Sequence, residues 1–371
     1  MNGLERLEFR DVARGRALQE RLDQRLSESN QTVTVMHVCG SHEQAFARYG
    51  LRARFPKALQ VQMGPGCPVC VTDAPEIDRA VALAERGYRL LTYGDMLRVP
   101  GANTSLADAR AGGARVEVIY AATQAAEIAR GTREPVIFFA TGFETTAVAT
   151  AAVLLKDPPA NLFVLSAHKW VPAAMEVVAS SPETTIQGYL AAGHAATITG
   201  YGLFEAFVAR HQRPVVVAGF EPLDILSALL LLVEQVLAGK AEVVNAFPRS
   251  VSQAGNQRAL RALFRVFQMG DGDWRGIAHV PGGDLCLSSA FAAHDASVQF
   301  SADLDAAPRR LPRADAAQCR CGAIMTGRLT PKDCGLFGSS CRPDTPVGAC
   351  MVSTEGACRI WYEHGQHEVS A

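Results

Sequence analysis

Cysteines are the residues of this sequence whose number and spacing point most directly to chemistry. The chain contains ten of them, and six lie between positions 319 and 358, in a segment with several Gly and Pro and no long apolar period. This cysteine array comprises Cys319, Cys321, Cys334, Cys341, Cys350 and Cys358. A segment so poor in core-forming residues needs something else to hold its loops, and a bound metal would do so.

The spacing within the cysteine array favours iron over zinc. No two of its cysteines have the two-residue separation of a zinc ribbon, which weakens the zinc interpretation. We therefore expect a [4Fe–4S] cluster held by four thiolates, with zinc and disulfides as the alternatives. Six candidates for four positions leave two cysteines over, and spacing does not select them.

Three further thiols lie in the N-terminal half, each in a glycine-containing loop after a predicted strand. The motif GPGCPVC places Cys67 and Cys70 in a C-x-x-C loop, in which glycines allow a tight turn and prolines stiffen it. Such a loop holds two sulfurs close enough to form a disulfide or to chelate one metal. Cys39 begins CGSHE, so His42 and Glu43 follow as acid, base or supporting groups. We expect the three thiols to meet as soft metal ligands.

Apolar runs followed by helical patterns indicate the elements that position these loops. The runs predicted to be strands are 32–38, 58–63, 89–93, 115–120, 135–140, 161–167 and 214–219. Segments 74–87 and 222–239 are predicted to be helices. Continuous apolarity suits parallel strands covered on both faces, and their alternation with helices indicates right-handed βαβ units. In such a sheet the carboxyl ends of strands converge on one crevice, where the thiol loops would meet.

A short repeat indicates two related α/β halves. Gly-Phe-Glu follows a predicted strand and precedes a predicted helix at 142–144 and again at 219–221. Chance recurrence is the alternative. The predicted domains are 1–130, which carries the N-terminal thiols, 131–305, and the cysteine-rich segment 306–371.

Polar residues at other predicted strand ends are candidates for the same crevice. Glu144 in TGFETT is predicted to face the crevice. Thr145 and Thr146 open a predicted helix, so capping of that helix is their simpler, structural interpretation. His194 is interpreted as a structural histidine. For Cys39, a buried cysteine without a role is the alternative. Redox pairs and half zinc sites share the C-x-x-C motif, so that motif alone does not choose between them.

Composition and charge exclude several classes of protein. The formal net charge is -1, so nothing points to nucleic acid or to an anionic membrane. The longest apolar stretch, 225–233, is shorter than the roughly 20 residues that a membrane span needs. The first residues carry both charge signs without an apolar core, which is unlike a secretory signal. We expect a cytoplasmic protein, in which cysteines serve as ligands or redox groups.

These motifs and their order resemble the HypD family of hydrogenase maturation factors, the scaffold for the iron centre of [NiFe] hydrogenases. The resemblance runs from about residue 30 to 362. The motifs that carry it are CGSHE (39–43), GPGCPVC (64–70), LLTYGDMLRVPG (90–101), TGFETT (141–146), AGFEPLDIL (218–226) and CGLFGSSCRPDTPVGACMVSTEG (334–356).

The resemblance implies two Rossmann-like α/β domains around a cleft, plus a small C-terminal [4Fe–4S] domain. It also implies cluster ligands in the pattern C-x14-C-x6-C-x16-C. The cysteines that match this pattern are Cys319, Cys334, Cys341 and Cys358. Cys321 and Cys350 would then lie outside the ligand set.

The N-terminal thiols Cys39, Cys67 and Cys70 match the cleft thiols of the family. Those thiols are implicated in holding or assembling an Fe(CN)2CO unit together with a small HypC-type partner. Cyanide arrives from a HypE-type partner, which carries it as a thiocyanate on its own C-terminal cysteine. One departure concerns 191–194, where Ala-Ala-Gly-His stands in place of a Cys-Pro-Gly-His type loop. Of that loop only His194 carries over.

The leading hypothesis is a redox-capable assembly scaffold. Three thiolates would bind low-spin iron while cyanide and carbon monoxide are added. Releasing cyanide from a thiocyanate takes two electrons. The Cys67 and Cys70 dithiol supplies them by closing to a disulfide, and the cluster then reduces that disulfide again. The alternatives are a pure binding module and a thioredoxin-like dithiol oxidoreductase with a structural metal site.

Overall fold

The computed structural model describes residues 11–365. Contacts divide this part of the chain into two compact units, each built from separate stretches. The first unit contains residues 11–66, 178–256 and 360–365. The second unit contains residues 67–177 and 257–359. Each unit has its own sheet and its own hydrophobic core.

The strands follow one another along the chain with helices between most of them. The strands are β1 (Val33–His37), β2 (Leu59–Met63), β3 (Arg89–Tyr93), β4 (Val116–Ile119), β5 (Val136–Gly142), β6 (Leu162–Lys169), β7 (Gly188–Ala192), β8 (Val215–Ala218), β9 (Val243–Asn245), β10 (Phe267–Trp274) and β11 (Ala278–Leu287).

The helices are shorter on average in the C-terminal part of the chain. The α-helices are α1 (Val12–Ser29), α2 (Gly40–Arg48), α3 (Pro68–Val71), α4 (Ala74–Glu85), α5 (Leu106–Ala111), α6 (Ala122–Arg130), α7 (Glu144–Leu154), α8 (Val171–Ser180), α9 (Gly193–Thr199), α10 (Glu205–His211), α11 (Pro222–Leu237), α12 (Gln257–Val266), α13 (Ala296–Gln299), α14 (Ser301–Asp305), α15 (Cys321–Met325), α16 (Ala349–Val352) and α17 (Ala357–His364).

The sheet of the first unit is entirely parallel. Its strand order is β2-β1-β7-β8-β9, so β1 pairs with a strand that lies about 150 residues further along the chain. All five residues of β1 are buried. The long apolar helix α11 packs on β8 and β7 and also against α1, and Ile225 and Leu229 of α11 are fully buried in that core. Burial on both sheet faces explains the continuous apolarity of these strands.

The sheet of the second unit is mixed. Its order is β10-β11-β6-β5-β3-β4, with β4, β3, β5 and β6 parallel and the β10–β11 hairpin antiparallel at one edge. Phe138 on β5 and Leu162 on β6 belong to its core. The helix α4 begins with a reciprocal cap, because the backbone N–H of Asp73 donates to the Glu76 carboxylate at 2.8 Å.

The predicted elements are all present, and their bounds agree with the observed ones to within two residues. The two Gly-Phe-Glu turns occupy matching places, since Gly142 ends β5 before α7 and Gly219 follows β8 before α11. A mixed α/β fold with two largely parallel sheets is therefore confirmed. The small C-terminal [4Fe–4S] domain stays a prediction.

The contact units run differently from the predicted domains 1–130, 131–305 and 306–371. The pairing of β1 with β7 brings the N-terminal strands together with residues 178–256, and 257–359 belongs with the second sheet. Contact units and domains need not coincide, so the three-domain division stays a prediction. Within residues 11–365, none of the helices is both long enough and apolar enough to cross a membrane.

Candidate functional site

Cys39 lies in a tight turn of the first unit, between β1 and α2. Its side chain is buried, and the backbone N–H of Gly40 donates to the Gly66 carbonyl at 2.9 Å. A Cβ atom at Gly66 would overlap the backbone of Val38 and Cys39. The GPG part of the GPGCPVC motif therefore packs directly on the Cys39 turn, and only glycine allows that approach.

His194 lies beside the Cys39 thiol. It is in the first turn of α9, directly after β7, and its Nδ1 atom is 3.9 Å from Cys39 Sγ. Burial lowers the pKa of His194. The sequence favoured a structural histidine, and the β7 strand before it was not predicted. A sulfur–imidazole pair of this kind can bind a soft metal or exchange a proton.

His42 is a second buried imidazole in the first unit. Burial, with a smaller contribution from nearby His37, lowers the pKa of His42 to about 3, so the ring is neutral. Its Nε2 donates to the Gly219 carbonyl at 3.0 Å, whereas Nδ1 is buried and has no hydrogen-bond partner among the described residues. Phe220 lies against both His42 and His194, with ring centroids 4.8 and 5.2 Å away. The neutral His42 thus presents a lone pair in the interior.

Glu43 is the centre of a buried ionic network that supports the Cys39 turn. Arg52 donates to both of its oxygens at 2.8 and 2.5 Å, and Trp361 Nε1 donates at 2.8 Å. His37 contacts Glu43 at 2.7 Å through Nε2 and the Cys39 carbonyl at 3.0 Å through Nδ1. Burial alone would raise the pKa of Glu43, but Arg52 and His37 hold it well below its usual range. The sequence indicated Glu43 but gave no sign of Arg52 or Trp361.

Cys67 and Cys70 form a disulfide in the second unit. Their Cα atoms are 5.2 Å apart, both side chains are fully buried, and the Cys70 backbone N–H donates to Cys67 Sγ at 3.1 Å. The predicted proximity of these two sulfurs is confirmed. Cys39 belongs to the other unit. A single site shared by the three thiols, and their role as metal ligands, stays a prediction.

Glu144 is a buried carboxyl group at the start of α7. Its Oε1 accepts from the Val171 backbone N–H at 2.9 Å, and Oε2 is buried and has no hydrogen-bond partner in the described part of the chain. Burial raises the pKa of Glu144 from 4.5 to about 7. Among residues 11–365 no cation offsets this burial, so the group holds a proton in weakly acidic solution. Its predicted role in the crevice stays a prediction.

Glu144→Gln is expected to flatten the pH dependence of stability. The raised pKa means that the folded protein binds this proton more tightly than the unfolded chain does. The contribution of the proton to the free energy of unfolding is therefore complete below pH 4.5 and is lost as pH rises to about 7. The loss is about 3 kcal/mol, at 1.36 kcal/mol per unit of pKa. Since glutamine resembles the protonated acid, the variant should match wild type near pH 4 and exceed it near pH 8. Urea unfolding between these values measures the difference.

The matched control for this prediction is Glu127→Gln, which changes an exposed carboxylate on α6. We expect this variant to follow the wild-type pH curve throughout. A Glu144→Gln curve that stays parallel to wild type over the whole range would show that Glu144 is ionised in the folded protein.

The thiols of the cysteine array lie close together in the second unit. Cys321 is the centre, because Cys319 Sγ donates to its sulfur at 3.2 Å and the Cys350 and Cys358 thiols also hydrogen-bond to it. These hydrogen bonds hold the pKa of Cys321 well below its usual range. A Cβ atom at Gly348 would lie 2.5 Å from Cys319 Sγ and 2.6 Å from Cys321 Sγ. The glycine thus leaves room for a group of sulfur atoms.

The remaining two thiols of the array are Cys334 and Cys341. Cys341 Sγ accepts from the Val347 backbone N–H at 3.4 Å, and Cys334 is buried. In residues 11–365 no three His, Cys, Asp or Glu side chains are arranged to hold a single metal ion. Contacts among thiols do not assign the ligands of a four-iron cluster. The ligand set Cys319, Cys334, Cys341 and Cys358 therefore stays a prediction.

Comparison with known proteins covers almost the whole chain. The family model described as "HypD: Hydrogenase formation hypA family" matches residues 14–365. The chain is 41% identical to the hydrogenase maturation factor HypD of Azotobacter vinelandii, and the match covers 97% of this chain and 96% of the relative. It is 40% identical to the Cupriavidus necator HypD over 349 residues, covering 91% and 90%. The corresponding protein of Rhizobium leguminosarum is 41% identical over 346 residues, covering 89% and 88%. The resemblance read from the motifs is confirmed: the chain belongs to the HypD family of hydrogenase maturation factors.

Proposed function

We propose that this chain is a redox-active scaffold on which the Fe(CN)2CO unit of [NiFe] hydrogenases is assembled in the cytoplasm. Its partners would be a HypC-type small protein and a HypE-type cyanide donor. The observation that carries the redox part is the pairing of Cys67 with Cys70 in a fully buried C-x-x-C turn. Two thiols that close to a disulfide supply two electrons, which is the number that cyanide release requires.

Cys39 is the residue that we assign to holding the iron cargo. Thiolates are soft ligands that suit low-spin iron carrying cyanide and carbon monoxide. His194, 3.9 Å from its sulfur, accepts or returns the thiol proton when the metal binds or leaves. The Glu43 network fixes the Cys39 carbonyl through His37 and so holds the direction of the turn.

The cyanide-releasing step is balanced by the two thiols. The Cys67 thiolate attacks the sulfur of the donor's thiocyanate, forms a mixed disulfide and expels cyanide. Cys70 then attacks Cys67 in that mixed disulfide, which closes the Cys67–Cys70 bond and releases the donor's thiolate. The two thiol protons end on cyanide and on the donor thiol. Reopening the disulfide takes two electrons and two protons from an external reductant.

The cysteine array has the donor set of an iron–sulfur site. Cys319, Cys350 and Cys358 hydrogen-bond to Cys321, and Gly348 leaves room beside Cys319 and Cys321. Cys319, Cys334, Cys341 and Cys358 would hold the cluster, which when bound supplies one-electron transfer. The helix α16, which carries Cys350, packs against α3, the helix that contains Cys70. The array is therefore next to the pair that has to be reopened.

The test is to purify the full chain with its small partner under anaerobic conditions. Metal analysis is expected to find more than one iron atom per chain. Infrared spectra should show cyanide and carbonyl bands that change between oxidised and reduced samples. The reduced sample should also gain alkylatable thiols at Cys67 and Cys70. Zinc without iron would instead indicate a thioredoxin-like oxidoreductase with a structural metal. Iron ligand bands without thiol changes would indicate a pure binding module.

A further inference from the structure

Arg275 lies in the short turn between β10 and β11, outside every motif described above. The turn is closed by the Ile277 backbone N–H, which donates to the Trp274 carbonyl at 2.9 Å, and Gly276 has a positive φ of 67°. The Arg275 side chain is partly buried. All of its polar contacts described below lie within the second unit.

One side of Arg275 holds the backbone that follows the Cys67–Cys70 pair. Its backbone N–H donates to the Val71 carbonyl at 3.0 Å, and Nε donates to the Thr72 carbonyl at 2.7 Å. Nη2 donates to the Pro100 carbonyl at 2.7 Å. Val71 is the last residue of α3, the helix that contains Cys70. Two donors of one residue thus hold the end of the C-x-x-C turn, and a third ties the same side chain to Pro100.

The other side of the same turn lies against the cysteine array. A Cβ atom at Gly322 would overlap the carbonyl of Gly276, so the turn and the start of α15 meet backbone to backbone. Cys321 is the residue next to Gly322 and the first residue of α15. Burial lowers the pKa of Arg275, while Asp73 and the Cys321 and Cys350 sulfurs act in the opposite direction. The guanidinium keeps its charge because its ordinary pKa is far above neutral.

A fixed positive charge beside thiols has a definite redox consequence. Reduction of a thiolate-bound metal adds negative charge, and a nearby cation stabilises that reduced state. The low dielectric of a partly buried position strengthens the effect. The guanidinium also has a planar set of five donors, so it can hold two carbonyls and still carry its charge.

We propose that Arg275 is a positioning residue that couples the two thiol sites of the second unit. Its donors hold the end of the Cys67–Cys70 turn in place, and its charge raises the reduction potential of the iron–sulfur cluster that the cysteine array would hold. This inference rests on the proposed redox function. It adds a residue that acts on both sites without contacting the cargo.

The test compares Arg275→Gln, which removes the charge, with Arg275→Lys, which keeps the charge and loses the planar set of donors. Full-length, iron-loaded proteins are titrated anaerobically with dithionite while the absorbance of the array is followed. The opening rate of the Cys67–Cys70 disulfide is then measured by alkylation and mass spectrometry. Arg115→Gln is the matched control, because it removes an exposed arginine of the same unit that pairs with Glu134.

Arg275→Gln is expected to make the array about tenfold harder to reduce, or ~59 mV more negative for a one-electron couple. Arg275→Lys is expected to keep the wild-type potential but to open the disulfide about tenfold more slowly, since a lysine cannot bind both carbonyls. Arg115→Gln should change neither. A wild-type potential in Arg275→Gln, or a wild-type opening rate in Arg275→Lys, would overturn the inference. Failure of wild type to open its disulfide would instead overturn the proposed redox function, while the potential shift in Arg275→Gln would still support the charge effect.

Discussion

Replacing Cys67 or Cys70 by serine is expected to lower hydrogenase maturation by at least about two orders of magnitude, because thiol–disulfide exchange requires both thiols. The variants should still fold, since each exchanges one sulfur for an oxygen of similar position in a four-residue helical turn. Iron should still be present in the cysteine array. The measurement is hydrogenase activity in cells that lack their own copy of the gene, with iron content determined on the purified variants.

The two serine variants are expected to fail in different ways. The Cys70 backbone N–H donates to Cys67 Sγ, which favours the Cys67 thiolate as the attacking group. Cys70→Ser should therefore trap a mixed disulfide between Cys67 and the cyanide donor, visible as a reducible covalent complex. Cys67→Ser should form none. Cys286→Ser is the matched control, because Cys286 lies on β11 with an exposed side chain, and this variant should mature hydrogenase normally. Full maturation by either Cys67→Ser or Cys70→Ser would rule out the dithiol as electron source.

The strands that position these thiols could be predicted from the local sequence where they are long and apolar. PVIFFA and NLFVLSA are buried on both faces, so apolar composition alone marks them. The strand β7 was missed because GYLAA is short and rich in small residues, and its burial comes from its neighbours β1 and β8. The hairpin strand FQMGDGDW was missed because Gly and Asp interrupt it and half of its residues are exposed.

The candidate site could be predicted only where spacing carries information. The C-x-x-C motif fixes the distance between Cys67 and Cys70, because a separation of three residues leaves the backbone little choice. The contacts of Cys321 with other array thiols could not be predicted, since they depend on how α15 and α16 pack. Arg275 was not predicted either, because an arginine in a hairpin turn resembles any surface residue until its acceptors are known.

Glu43→Leu is expected to destabilise the first unit by about 3–5 kcal/mol, the usual cost of removing one partner from a buried ion pair. Glu43 is fully buried, and its loss leaves Arg52 and His37 without their carboxylate. Thermal and urea unfolding measure the change. The contribution of Glu43 to the free energy of unfolding should also disappear in acid. Because the pKa of Glu43 is depressed in the folded protein, this contribution is present above the ordinary carboxyl range and is lost as pH falls through the folded pKa.

Two variants separate the ionic network from ordinary packing. Trp361→Phe keeps an aromatic ring beside Arg52 and removes one hydrogen bond to Glu43, so it should cost about 1–2 kcal/mol. Glu134→Leu removes an exposed partner of Arg115 and should have no measurable effect. The network reaches the Cys39 carbonyl through His37, so Glu43→Leu should also speed alkylation of Cys39 at temperatures where the unit is still folded. A Glu43→Leu variant as stable as wild type would mean that Arg52 and His37 find other acceptors. Unchanged Cys39 alkylation in a destabilised variant would mean that the network supports the unit but not the turn that carries the thiol.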